Sequence, residues 1–150
     1  MLRQNILQTV TENTAAVQRL LATSRDQFLL GMGINRAQLE TLTLLSKQPM
    51  SVKRLAELLK ITGGGATQII DGLVANGFVE KKVNPGDRRS INVKLTKEGQ
   101  TRFEKIRVAY IEQLNEILGA VSDSQLHNLA KLTEQILQQI KATTYLTDKK

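Results

Sequence analysis

The sequence predicts a mainly α-helical fold that carries one small β-hairpin. Three observations support this reading. Long stretches of the 150 residues repeat apolar side chains every three to four positions, residues 78–96 switch to a period of two, and helix-capping side chains stand at the joints.

Taken in order, residues 3–30 contain no Pro or Gly and place Leu7, Val10, Val17, Leu21 and Phe28 on a seam completed by Thr14 and Ser24. That spacing makes an amphipathic helix, which Gly31-Met32-Gly33 stops. Asn35, with Gln38 three residues later, forms a capping box that opens a second helix through Leu39, Leu42 and Leu45, ended by Gln48-Pro49. Ser51 caps a short helix that turns Val52, Leu55, Ala56 and Leu59 inward. After Lys60-Ile61, Thr62 caps another helix, which runs to Asn76-Gly77. The result is helix, tight turn, helix.

From Phe78 the chain alternates, with Val79 and Val83 on one side of a turn at Asn84-Pro85-Gly86-Asp87 and Ile91, Val93 and Leu95 on the other. This is the pattern of two strands joined by a turn. Thr96-Lys97-Glu98-Gly99 opens a long helix through Phe103, Ile106, Ile111, Leu114, Ile117 and Leu118. Ser122 with Gln125 is a further capping box, before a last helix carrying Leu126, Leu129, Leu132, Ile136 and Ile140. No repeat or linker divides the chain, so one domain over 1–150 is expected.

Composition excludes whole classes. Charged residues make up 23% and hydrophobic residues 41%, too apolar for disorder and too interrupted by charge for a membrane span. The N-terminal residues lack the pattern of a secretory signal, so the expectation is a cytoplasmic protein with no membrane partner. Without cysteine there is no disulfide, thiol nucleophile or thiolate metal site, and one histidine leaves little room for zinc or Ser-His chemistry. His127 and the acids Glu112 and Glu116 read as surface groups, and no metal, cofactor or catalytic residue is expected.

The formal charge of +7 is concentrated, because residues 81–97 hold six bases against one acid. Surface charge alone would read as a solvated lysine face, but a focused basic patch also attracts a polyanion. Here it follows a helix-turn-helix, and that order is the order of a winged helix-turn-helix, whose second helix enters the major groove of DNA while the hairpin reaches the neighbouring backbone or minor groove.

Residues 87–96 read Asp-Arg-Arg-Ser-Ile-Asn-Val-Lys-Leu-Thr. They resemble the wing signature D-x-R-x-x-x-V-x-L-T of the MarR family of multiple-antibiotic-resistance-type regulators, matched at Asp87, Arg89, Val93, Leu95 and Thr96. Ile69 to Leu73, Asn76 to Lys81 and Thr96 to Gly99 resemble that family's neighbouring stretches, so the likeness covers essentially the whole chain. It implies a homodimer on a pseudo-palindromic duplex, with helices in 1–34 and 100–150 for dimerisation and a DNA-binding part at 35–99. It also implies a repressor released by a small aromatic or anionic effector, held between the dimerisation and DNA-binding parts in an apolar-rimmed pocket at the junction of the first, second and fifth helices.

On the second helix of the pair, Ala66, Ile69, Ile70, Leu73 and Val74 share an inward face, leaving Gly63, Gly64, Thr67, Gln68 and Asp71 outward. A helix start offers N–H groups and a positive dipole end to phosphate, and Thr62 with the glycines lets the DNA backbone approach closely. No Lys or Arg occurs between Ile61 and Glu80, and Gly72 stands where relatives often carry a base. Phosphate affinity is therefore expected from Lys53, Arg54, Lys60 and the wing lysines Lys81, Lys82 and Lys94, and base reading from Gln68 to adenine and Thr67 to the thymine methyl. Arg88 and Arg89, with Asp87 holding one of them, are expected at a narrow minor groove. Two other readings stay open: a helical interaction protein that docks its basic hairpin on an acidic partner, and a non-specific architectural DNA binder.

Overall fold

The computed structural model describes the backbone of residues 2–84 and 87–147, and the side chains of all of these except 84, 87–90 and 144–147. Among these described residues six helices and three strands follow in the order α1 (Leu2–Gly31), α2 (Arg36–Leu45), β1 (Met50–Ser51), α3 (Val52–Leu59), α4 (Gly63–Ala75), β2 (Val79–Asn84), β3 (Asp87–Leu95), α5 (Lys97–Ile117) and α6 (Asp123–Thr147).

The joints form as the capping signals require. Asn35 Oδ1 accepts from the Gln38 N–H and Gln38 Oε1 accepts from the Asn35 N–H, both at 2.9 Å, so the box at the start of α2 is reciprocal. Ser51 and Thr62 accept from the N–H groups of Arg54 and Gly65, each at 3.1 Å, and so open α3 and α4. Before α6, Gln125 Oε1 accepts from the Ser122 N–H at 2.9 Å. Gly33 and Gly77 take positive φ at the ends of α1 and α4, as the left-handed residues that glycine accommodates best.

The hairpin is part of a three-stranded antiparallel sheet in the order β1-β3-β2. The alternation in 78–96 gives two of these strands. The third, β1, is two residues long, too short to show a period, and exists because Met50 and Ser51 lie opposite Val93 and Asn92. In the β2–β3 register Val79 faces Leu95, Lys81 faces Val93 and Glu80 faces Lys94. Since successive side chains alternate, Val79, Lys81, Val93 and Leu95 share the core side, while Glu80, Lys82, Asn92 and Lys94 share the outer one.

The chain divides into two compact units, Met1–Tyr110 and Ile111–Lys150. In the first, Leu42 and Leu45 of α2, Leu55 of α3, Ile70 and Leu73 of α4 and Val79 and Val93 of the sheet form a core, closed by Leu29, Phe103 and Ile106. Burying a side chain of this size stabilises by about 1.5–3 kcal/mol. Val74 was expected inward and is 40% exposed, because Ala66, Ile70 and Leu73 already fill the narrow stripe that α4 turns to the core.

The end of α4 is locked to the start of α5. Thr96 Oγ1 donates to the Gly77 carbonyl at 2.7 Å and accepts from the Gly99 N–H at 2.8 Å. A Cβ on Gly99 would lie 1.9 Å from the Phe78 carbonyl oxygen, so only glycine allows this approach. Arg102 completes the lock, donating to the Asn76 carbonyl at 2.6 Å with its guanidinium 4.0 Å above the Phe78 ring.

The second unit holds the last turns of α5 and α6. Among its described residues α6 buries no side chain fully, and Leu129, Leu132, Ile136, Leu137 and Ile140 are each more than half exposed.

Candidate nucleic-acid interface

The outward face of α4 forms as its spacing predicts. Gly63, Gly64, Thr67, Gln68 and Asp71 are all exposed, opposite the buried Ala66, Ile70 and Leu73. Thr62 Oγ1 occupies the Gly65 N–H, which leaves the N–H groups of Gly63 and Gly64 at the positive end of the helix dipole. A Cβ on Gly63 or Gly64 would meet no heavy atom within 4 Å among the described residues, so no packing there demands glycine. Thr67 Oγ1 donates to the Gly63 carbonyl at 2.9 Å; its hydroxyl is committed and its methyl remains for contact. The Gln68 side chain is exposed and makes no hydrogen bond among the described residues, so both ends of its amide face an external partner.

Cations flank this face. Lys53 and Lys60 are exposed and make no ion pair among the described residues, while Arg54 Nη1 donates to Glu57 Oε2 at 3.2 Å. Lys60 caps α3 in the left-handed region, at φ 54° and ψ 44°.

The wing lysines are partly neutralised from within. Lys81, on the core side of β2, donates to Asp71 Oδ1 and so ties the strand to the outer face of α4. On the other side Glu80 Oε1 lies 2.9 Å from Lys94 Nζ and 3.9 Å from Lys82 Nζ, one carboxylate serving two ammonium groups. The hydrogen bond from Lys94, helped by the charges of Lys94 and Lys82, holds the Glu80 carboxyl below its ordinary pKa against the opposing effect of desolvation. The same bond to Glu80 raises Lys94 above the ordinary lysine value. The backbone of Asp87, Arg88 and Arg89 runs in β3, and their side chains lie outside the described ones.

The sequence reading did not identify Glu80 as a bridge or Arg102 as a clamp, because both depend on partners from other elements. At the junction of α1, α2 and α5, where the family resemblance implies an apolar-rimmed effector pocket, a cavity of about 730 Å³ is lined by Ala15, Gln18, Arg19, Leu21, Ala22 and Arg25 of α1 with Arg36 and Tyr110, a more basic lining than expected. Arg36 Nε donates to Glu40 Oε1 at 3.0 Å. Arg25 Nε is buried without a hydrogen bond, 3.7 Å from Asp26 Oδ1. The available signal for this lining was Ala15, Gln18, Ala22 and Arg25, two small residues and two polar ones on one helical face.

A helix pair whose exposed second helix carries no cation, beside a basic three-stranded wing, defines a winged helix-turn-helix protein. Residues 32–90 match the MarR family model. The repressor YetL of Bacillus subtilis is 24% identical over 118 residues, 77% of this chain and 71% of its own. The repressor MprA of Escherichia coli K12 is 25% identical over 127 residues, 83% of this chain and 72% of its own. In fold, a mutant of MarR from E. coli complexed with operator DNA superposes with a TM-score of 0.66 at 23% identity, covering 89% of this chain and 96% of that one. Residues 32–90 are thus similar to the MarR family, and the two relatives above are transcriptional repressors.

Proposed function

We propose that the chain acts as a homodimeric repressor that reads a pseudo-palindromic duplex with α4, grips flanking phosphates with Lys53, Arg54, Lys60 and Lys82, and is released by a small anionic effector. The observation that carries the DNA reading is the outer face of α4, fully exposed, free of cations and small where the backbone must come close. Thr67 and Gln68 on that face suit A·T-rich half-sites, since a Gln amide pairs bidentately with adenine and a Thr methyl packs on thymine. Asp87, Arg88 and Arg89 extend the interface to a flanking minor groove. Function on cellular DNA goes with a cytoplasmic location, and no helix among the described residues is long and apolar enough to cross a membrane.

The exposed apolar residues of α6, with Leu7, Val10 and Val17 of α1, each 51–54% exposed, support dimerisation, because a second copy would remove both stripes from water. A two-fold axis would also set two copies of α4 on successive half-sites. The α1 cavity supports the effector reading: three guanidinium groups among small and aromatic neighbours suit an aromatic carboxylate.

Selection of bound fragments from random duplex DNA tests the core of this reading. The expected result is an inverted repeat with A·T pairs at the positions facing Gln68. Binding without sequence preference would favour the architectural reading, and no binding would favour the interaction protein. Calorimetry with aromatic carboxylates, with and without that duplex, tests the effector, because a ligand that weakens DNA binding must itself bind the DNA complex more weakly by the same factor.

A further inference from the structure

The start of α2 and the middle of α4 meet through one side chain. Gln38 Oε1 is fixed by the Asn35 N–H at 2.9 Å. An amide with its oxygen so held sends its nitrogen the other way, and Gln38 Nε2 lies 3.1 Å from where a Cβ on Gly72 would stand. Gly72 is helical and is not among the residues of positive φ, so no turn requires glycine there. A helix interior disfavours glycine more than any residue but proline. A Cβ at Gly72 would press on the Gln38 amide, at a separation shorter than ordinary van der Waals contact. Gly72 also lies one turn after Gln68 on the same side of α4, so whatever rests on it sets the height and roll of the base-reading face.

We infer that Gln38 is a positioning residue for the recognition helix, its amide seated on Gly72 and held there by the capping box of α2. This inference rests on the proposed reading of DNA by α4. A Cβ at 72 crowds the amide, so either the amide strains its bond to Asn35 or α4 shifts from α2 by a few tenths of an ångström. Either displacement moves Thr67 and Gln68 relative to the groove while leaving the surface cations in place.

The test is a double-mutant cycle of Gln38→Ala and Gly72→Ala, read by affinity for the selected duplex, by affinity for a scrambled duplex of the same length and composition, and by thermal unfolding. Gly72→Ala is expected to weaken binding to the selected duplex about tenfold, within the range of coupled neighbours, and to change scrambled-duplex binding less than twofold. Its unfolding midpoint should not fall, because alanine favours the helix. Adding Gln38→Ala should restore most of the lost affinity, since the new Cβ then has room. Additive effects, or equal losses on both duplexes, would overturn the role of Gln38. A wild-type chain that does not distinguish the two duplexes would overturn the DNA reading and the inference with it, whereas discrimination by the wild type with additive variants overturns the inference alone.

Discussion

Replacing Glu80 by glutamine should strengthen DNA binding and make it more sensitive to salt. Glu80 accepts from Lys94 at 2.9 Å and stands 3.9 Å from Lys82, and all three side chains are at least 40% exposed. Glutamine preserves the size and removes the charge, releasing two ammonium groups toward any polyanion lying along the wing. Each further phosphate neutralised steepens log affinity against log salt by about 0.9. Two lysines give about 1.8 per protomer and about 3.6 per dimer, so between 50 and 200 mM salt the dimeric variant should lose roughly a hundredfold more affinity than the wild type. Fluorescence anisotropy on the selected duplex across a salt series reads this directly. The pH dependence has a defined sign. Because the Glu80 carboxyl is held low, its pair with Lys94 is complete above the ordinary carboxylate range and is lost only as pH falls through the lowered value. The raised Lys94 keeps the pair intact below the ordinary lysine value and loses it only as pH rises through the raised one. Acid should therefore mimic the substitution in the wild type and leave the variant unchanged. An unaltered salt slope in a folded Glu80→Gln chain would show that neither lysine reaches phosphate, and the charge argument for the wing would fail.

Further outcomes follow from the same geometry. Gly63→Ala and Gly64→Ala each introduce a Cβ into open space, so each should stabilise the free chain by up to about 1 kcal/mol in denaturant titration while weakening DNA binding, if the glycines serve close approach. Gly99→Ala puts a Cβ against the Phe78 carbonyl and should cost about 3 kcal/mol or more, seen as a large fall in the unfolding midpoint. Glutamate at Leu132 and Ile136, which are 57% and 54% exposed, should lower the sedimentation coefficient and the unfolding midpoint together, and a fully folded wild-type monomer at micromolar concentration would remove the basis for this.

Local chemistry was legible in the sequence and long-range chemistry was not. The Asn35–Gln38 box, the Ser51 and Thr62 caps and the Ser122–Gln125 pair are encoded within four residues of one another, and each formed where its spacing places it. The outward set on α4 was legible for the same reason, since a helical period fixes which residues oppose Ala66, Ile70 and Leu73. Val74 was misassigned because periodicity gives a direction but not the width of the surface that receives it. Strand β1 has no signature of its own and depends on Val93, more than 40 residues away. Lys81 and Lys82 are indistinguishable as a pair of bases, and only the pairing register sends one to Asp71 and the other to Glu80. The wing arginines were read through the family signature, and Gly72 stood out as a departure from it. Its use became clear only when α2 was seen to place an amide there.

The turn between α3 and α4 has a different consequence. Its left-handed residue is Lys60, a position where a residue with a Cβ gives up about 1 kcal/mol relative to glycine. A glycine there would relax the backbone and lengthen the life of the folded chain on heating, but would remove a cation from beside the glycine-rich start of α4. Heat resistance and grip on a polyanion are thus set against each other at a single residue. A search for hardier variants of this chain should return glycine at position 60 readily when it selects for survival alone, and should lose it when the survivors must also hold DNA in salt.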